Sequence, residues 1–177
     1  MKNDNNKLIL AAVVVMILTM ILSSCKGVSA AGSAENVPLE TIVQELCHDV
    51  DVPPYETIRL DQSNFEAYAF IPYDETLSAA AADAMVNITP HSMVVIHTPD
   101  GNGAELADKI FRSADPNKWL CVGSETVITA YTDHYVVLIM SYDDVAGAIA
   151  DNFRSLAQKL DGMEMTLLSA ANSRYEQ

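Results

Sequence analysis

Apolar residues recur with helical spacing in the first half of the chain. One set lies at steps of three and four positions: Leu39, Ile42, Val43, Leu46 and Val50. This spacing predicts an amphipathic helix over residues 38–50. Pro38 suits the first position of a helix, and Pro53 stops it.

The residues that follow are less regular. Asp61 is suited to cap a short helix that contains Phe65 and Tyr68 and that ends at Pro72. Residues 77–87 are rich in alanine, which favours a helix, whereas the flanking pattern favours a strand. Both interpretations of this stretch stay open.

The second half begins with a strand followed by a helix. Residues 93–96 (MVVI) form an apolar run typical of a buried strand, and Pro99 breaks it. Asn102 is then expected to cap a helix, with Glu105 in the capping-box position. Residues 106–114 supply the apolar face of this helix.

The same order of elements returns further along. Residues 120–131 are predicted to be extended, and residues 132–134 turn the chain into an apolar strand at 135–140. Asp143 or Asp144 can cap a last helix. Its apolar face consists of Val145, Ile149, Phe153, Leu156 and Leu160. The final fifteen residues have no clear pattern.

Two stretches align without gaps when the chain is shifted by 42 residues. Residues 93–113 and 135–155 match at six of 21 positions, and each consists of strand, turn and helix. One hypothesis is a repeat of two ββα units. The alternative is that any strand-to-helix unit selects valine, alanine and phenylalanine at these positions.

The elements predict an α+β domain, an antiparallel sheet of about four strands with helices on one face.

The N-terminus combines positive charge with a long apolar run. Residues 8–22 form fifteen residues that only Thr19 interrupts. As a helix they would be about 22 Å long, short of the roughly 30 Å hydrocarbon core of a bilayer. This length favours a signal peptide over a spanning helix. The alternative is an uncleaved signal anchor that crosses the membrane.

The residues after this run carry the prediction of a lipid anchor. The sequence LSSC at positions 22–25 is similar to the bacterial lipobox, in which small residues fit the signal peptidase and the cysteine sulfur takes a diacylglyceryl group. We expect cleavage between Ser24 and Cys25 and lipid attachment at Cys25. The chain is then divided into a signal peptide (1–24), a lipidated cysteine with a flexible tether (25–36), and a single domain (37–177).

The charge balance limits the partners. The 177-residue chain has 24 acidic and 10 basic residues, a formal net charge of −14. Such a surface repels phosphate backbones and anionic lipids, so we expect no nucleic-acid partner and no electrostatic docking to a membrane. Attachment to the outer face of the cytoplasmic membrane would therefore depend on the lipid.

Little else in the sequence indicates chemistry. Cys47 and Cys121 could form a disulfide in an exported protein; the alternative is that both are small buried residues. His91 and His134 fall in the two turns that the repeat makes equivalent, so with Asp133 they could lie close together. Histidines in turns are usually just solvated, and we predict no metal site and no cofactor.

No motif of a serine hydrolase, zinc protease, dinucleotide-binding fold or phosphate loop appears in the sequence. We therefore predict no catalytic residues. One group of aromatic residues could line a ligand surface, although strand tyrosines more often pack within a sheet. The group comprises Tyr68, Tyr73, Tyr131, Tyr135, Tyr142 and Trp119.

The pattern over residues 60–156 resembles a domain of unknown function found in lipoproteins of low-GC Gram-positive, Clostridia-type bacteria. The resembling features are Pro72, Asn87-Ile88-Thr89 before the strand at 93–96, Phe111-Arg112, Tyr135-Val136-Val137-Leu138 and Ser141-Tyr142-Asp143. The resemblance implies a location and a fold. It implies no reaction.

These observations lead to one hypothesis about function and two alternatives. The hypothesis is a membrane-anchored, non-enzymatic module that binds a partner protein or a small-molecule ligand outside the cell. The first alternative is an unrecognised cell-envelope hydrolase, which would need a deep pocket with converging carboxylates or histidines. The second is a purely structural lipoprotein.

Overall fold

A computed structural model describes residues 37–172 of the chain, and these contain four helices and six strands. The helices are α1 (Leu39–Cys47), α2 (Phe65–Ala69), α3 (Gly103–Ser113) and α4 (Asp143–Leu160). The strands are β1 (Tyr55–Leu60), β2 (Ser78–Ala84), β3 (Ser92–His97), β4 (Thr126–Tyr131), β5 (Tyr135–Ser141) and β6 (Thr166–Ala171).

The strands form one sheet in the order β1-β2-β3-β5-β4-β6, and every neighbouring pair is antiparallel. The predicted α+β class and single antiparallel sheet are confirmed. The expectation of about four strands is too low, because β1 and β6 were missed. Both lie at the edges of the sheet, and the residues of β6 are mostly exposed. An exposed edge strand carries little of the apolar pattern that identifies a strand in a sequence.

Helices cover both faces of the sheet, so the prediction that they share one face is wrong. Helices α1 and α4 contribute to the apolar cluster on one face, and α2 and α3 contribute to the cluster on the other. Residues 93–96 of β3 are all completely buried. An apolar run without alternating polar residues is typical of a strand that is buried on both sides.

The alanine-rich stretch is strand β2. Ala80 and Ala82 face the cluster that contains α1, whereas Ala79 and Ala81 face the cluster that contains α2. Both edges of β2 are hydrogen-bonded, to β1 and to β3. Tertiary pairing therefore overrides the helix propensity of alanine.

The predicted internal repeat is not confirmed. Val95 lies directly opposite Val137, its equivalent under the 42-residue shift, so the central strands fit a two-fold relation. A two-fold axis between antiparallel strands would keep both helices on one face, but α3 and α4 pack on opposite faces. The connections differ too, since residues 98–102 precede α3 whereas Tyr142 alone precedes α4.

Several helix ends differ from the predictions. The N-caps of α2 and α4 are Asn64 and Tyr142 rather than Asp61 and Asp143 or Asp144, and neither helix has a side-chain cap hydrogen bond. The side chain of Asn102 makes no cap hydrogen bond with α3; its Oδ1 accepts a hydrogen bond from the Thr98 hydroxyl instead. Glu105 is paired with Lys109 at 2.7 Å, so no capping box forms. Helix α1 ends at Cys47 rather than at position 50, because the following residues leave the helical conformation.

Candidate functional site

The predicted lipid-attachment residue Cys25 and the cleavage residue Ser24 lie outside the described residues. The other two cysteines are free thiols, so the possible disulfide is not present. Cys47 is buried on one face of the sheet, and burial raises the pKa of its thiol. Cys121 is exposed in the loop between α3 and β4, which separates it from Cys47 and differs from the expectation of a buried residue.

His91 and His134 are not neighbours. His91 precedes β3 and His134 precedes β5, and because these strands are antiparallel the two rings lie at opposite ends of the sheet. His134 is paired with Asp161 at 3.3 Å. Within residues 37–172, no three His, Cys, Asp or Glu side chains come together in a way that could hold a metal ion.

His91 anchors the β2–β3 hairpin to the domain. Its side chain is completely buried, and its Nδ1 lies 3.0 Å from the hydroxyl oxygen of Ser141, which is also buried. Burial lowers the pKa of His91 to about 4; the Asp83 carboxylate opposes this shift and Lys118 adds to it. The ring is therefore neutral at physiological pH. Its buried contact with Ser141 anchors the start of β3, next to the turn of residues 85–90.

Two of the six aromatic residues, Tyr73 and Tyr135, line the same groove, and the other four are not among its lining residues. Tyr135 and Trp119 are buried in the clusters on opposite faces of the sheet. Tyr73 is exposed and makes an edge contact with the ring of Phe65. These residues mainly pack against the sheet, as the sequence analysis favoured.

Lys118 holds the loop between α3 and β4 against the sheet. Its ammonium group lies 3.0 Å from Asp83 Oδ1 and 2.9 Å from Ser92 Oγ, so it joins the end of β2 to the start of β3. It also lies 4.9 Å from the ring centre of Tyr68 and 5.0 Å from that of Trp119, within the range of a cation–π contact. Burial lowers the pKa of Lys118, and the Asp83 carboxylate partly restores it.

We expect Lys118→Met to lower the free energy of unfolding by about 1–3 kcal/mol, because Asp83 would lose its partner in a partly buried position. The two side chains are 17% and 22% exposed. The matched control is Lys109→Met, which removes a pair that is 61% and 69% exposed and should change stability far less, because solvent screens an exposed pair. Urea unfolding monitored by Trp119 fluorescence measures both. Equal losses would contradict this role of Lys118.

Large apolar side chains project from the two loops that His91 and Lys118 hold. The hairpin between β2 and β3 exposes Met85 (68%), Val86 (51%) and Ile88 (68%), and the loop after α3 exposes Leu120 (95%). Lys118, two residues before Leu120, contacts the strand residues on both sides of the hairpin. The four side chains therefore lie at the same end of the sheet. We call these four residues the apolar tip.

The charges at this end are mostly negative. Eight carboxylates lie in its loops and at the strand and helix ends: Asp49, Asp51, Glu56, Asp83, Asp115, Glu125, Asp143 and Asp144. Of the lysines and arginines within residues 37–172, Lys118 lies in these loops and Arg112 in the last turn of α3; they are paired with Asp83 and Asp108 respectively. The apolar tip is therefore set in an acidic surface.

A groove lies at the opposite end of the sheet. It has a volume of about 640 Å³, and its lining includes Val37, Leu60, Ser78 and His97. Val37 is the first described residue. Val37 therefore lies at the end of the sheet away from the apolar tip.

Comparisons with protein-family models, with curated proteins and with solved structures find no match to this chain. The resemblance to a lipoprotein family therefore stays a prediction. Among residues 37–172, no helix combines the length and the apolar character needed to cross a membrane.

Sequence reasoning missed both the apolar tip and the Lys118 contacts. Met85 and Val86 belong to the stretch that the sequence leaves ambiguous, and Leu120 to a stretch that it predicts to be extended. The available indication was the position of Met85, Val86 and Ile88 just before Pro90, where a turn rather than a buried strand is expected. No sequence pattern indicates that Lys118 would meet Asp83, because 35 residues separate them.

Proposed function

We propose that this protein is an exported lipoprotein, anchored through Cys25 to the outer face of the cytoplasmic membrane, whose domain is a non-enzymatic interaction module. The observation that supports the binding role best is the apolar tip. Four large apolar side chains are exposed on loops that buried polar contacts hold in place. Contiguous apolar patches mark interaction surfaces, and these four side chains lie at the same end of the sheet.

The anchor part of the proposal is supported by the sequence. The apolar run at residues 8–22 is shorter, as a helix, than the hydrocarbon core of a bilayer. It is followed by LSSC at positions 22–25.

An envelope hydrolase has less support. Among the described residues, Ser141 and His91 form one contact between a hydroxyl and an imidazole, at 3.0 Å. Both side chains are completely buried, so a substrate could not reach the serine oxygen. His91 is moreover a weak base, since burial lowers its pKa to about 4.

Cys25→Ala is expected to abolish acylation. Cells that express the full chain and are fed an alkyne-bearing palmitate should label the unchanged protein, whereas the variant should carry no label, because the acceptor sulfur is missing. In-gel fluorescence after attachment of an azide dye measures the label. When the membranes are then extracted with detergent, the variant should no longer partition with the lipid-modified proteins.

The matched control is Cys121→Ala, which removes the exposed thiol of the domain. This variant should keep full labelling and full membrane association. Label that persists in Cys25→Ala, or that disappears in Cys121→Ala, would contradict the proposed anchor.

A further inference from the structure

We propose that the apolar tip binds a cationic amphipathic helix of a partner protein. This inference rests on the proposed function, since it names the partner class of that module. The tip supplies the apolar contact: Met85, Val86, Ile88 and Leu120 are each at least half exposed. One face of an amphipathic helix, with apolar residues at steps of three and four, offers a matching apolar stripe.

Charge complementarity decides the sign of the charge that the partner carries. Eight carboxylates lie at the end of the sheet that carries the tip, whereas its two cations, Arg112 and Lys118, are already paired with Asp108 and Asp83. A helix whose polar face carries lysine or arginine would bring opposite charge to this surface. Such complementarity raises the association rate and selects against acidic partners.

The shape of the tip is set before binding. The hairpin is held from below by the completely buried His91 and by the hydrogen bond from the Met85 N–H to the Pro54 carbonyl oxygen at 3.0 Å. The loop that carries Leu120 is held by Lys118. A surface that is already ordered loses less conformational entropy on binding, which favours affinity.

The side chains of the tip are suited to helices of more than one sequence. Methionine is unbranched and adapts to irregular apolar surfaces. Met85 is joined by one valine, one isoleucine and one leucine, without an aromatic ring that would demand a single complementary pocket. We therefore expect recognition of the amphipathic pattern and charge rather than of a particular sequence.

Two other occupants fit less well. A second copy of this chain would place like charges together, since the formal net charge is −14. An anionic lipid surface meets the same repulsion. Both occupants are nevertheless outcomes that the experiment can detect.

The test uses the full chain, recovered from cell membranes into phosphatidylcholine nanodiscs. The probe is a fluorescein-labelled 14-residue peptide of leucine and lysine arranged as an amphipathic helix, and anisotropy gives the Kd. The same peptide composition in an order without an apolar face, and a leucine–glutamate version of the helix, are the peptide controls. Empty nanodiscs measure adsorption to lipid.

Saturable binding is expected for the amphipathic cationic peptide, at least tenfold tighter than for either control peptide. Leu120→Ser and Ile88→Ser should each weaken it at least tenfold. Leu167→Ser is the matched control, because Leu167 is also exposed but lies on β6, outside the tip. Glu56→Gln combined with Asp115→Asn should weaken binding about threefold and reduce its dependence on salt. Thermal melting checks that each variant is folded.

Three results would overturn the inference. The first is unchanged binding in Leu120→Ser and Ile88→Ser, which would mean simple attraction to the acidic surface. The second is equal binding of the peptide without an apolar face. The third is a tip occupied by lipid or by a second copy, seen as binding to empty vesicles or as a dimer that Leu120→Ser dissociates. Retention of the chain on nanodiscs tests the anchor separately, so the peptide result and the proposed lipoprotein function can fail independently.

Discussion

Replacing Gly103 with alanine is expected to lower the free energy of unfolding by about 3 kcal/mol or more. Gly103 is the first residue of α3 and is buried. A Cβ atom at this position would lie 2.0 Å from the carbonyl oxygen of Thr132 and 2.8 Å from that of Asp133. Both are backbone atoms, which cannot move aside as a flexible side chain can.

The close approach of Gly103 is part of the fold. Its N–H donates a hydrogen bond to the Asp133 carbonyl oxygen at 2.9 Å, and this bond joins the start of α3 to the turn between β4 and β5. Relieving the clash would require the helix to separate from the turn. The cost therefore includes this bond and part of the packing of α3 on the sheet.

The matched control is Gly147→Ala within α4. A Cβ atom there would meet nothing within 4 Å. Alanine is the better helix former, so this variant should be more stable by about 0.5–1 kcal/mol. Urea unfolding followed by circular dichroism measures both variants. If the two alanine variants have similar free energies of unfolding, the close backbone contact at Gly103 does not destabilise Gly103→Ala.

The stability of the domain is expected to fall by about 3 kcal/mol between pH 6.5 and pH 4 because of His91. Burial lowers the folded-state pKa of His91 to about 4, against an ordinary value of 6.5. Within this window the unfolded chain binds a proton at this residue and the folded chain does not. Protonation therefore favours unfolding as the pH falls from 6.5, and the contribution of His91 levels off below about 4.

His91→Asn is the variant that tests this assignment. Asparagine can still form a hydrogen bond with Ser141 but does not titrate, so the slope of stability against pH should flatten over this window. His48→Asn is the control, since the His48 side chain is 71% exposed, and it should keep the slope. Urea titrations at half-unit pH steps measure the difference. A slope that survives in His91→Asn would assign the acid sensitivity to other groups.

The sequence analysis found the elements that carry strong local patterns. The central strands β3 and β5 contain uninterrupted apolar runs, and α3 and α4 have apolar residues at helical spacing. The edge strands were missed because their burial is weak or irregular. In β1 only Leu60 is buried, and no residue of β6 is.

The candidate site was less accessible to sequence reasoning. The 42-residue shift placed His91 and His134 in equivalent turns, and antiparallel pairing then put them at opposite ends of the sheet. The apolar tip depends on two loops more than 25 residues apart in sequence. Lys118 joins them through Asp83 and Ser92, and no periodic pattern records such a contact.

By itself, the sequence determined the α+β class, the central strands, the long helices and the acidic surface. It is also the whole basis of the predicted lipid anchor. Only the tertiary structure decided the order of the six strands, the covering of both sheet faces and the meeting of the two loops of the tip. The physical reason is range: periodicity and propensity act over a few residues, whereas strand pairing and buried polar contacts join residues that lie far apart in the chain.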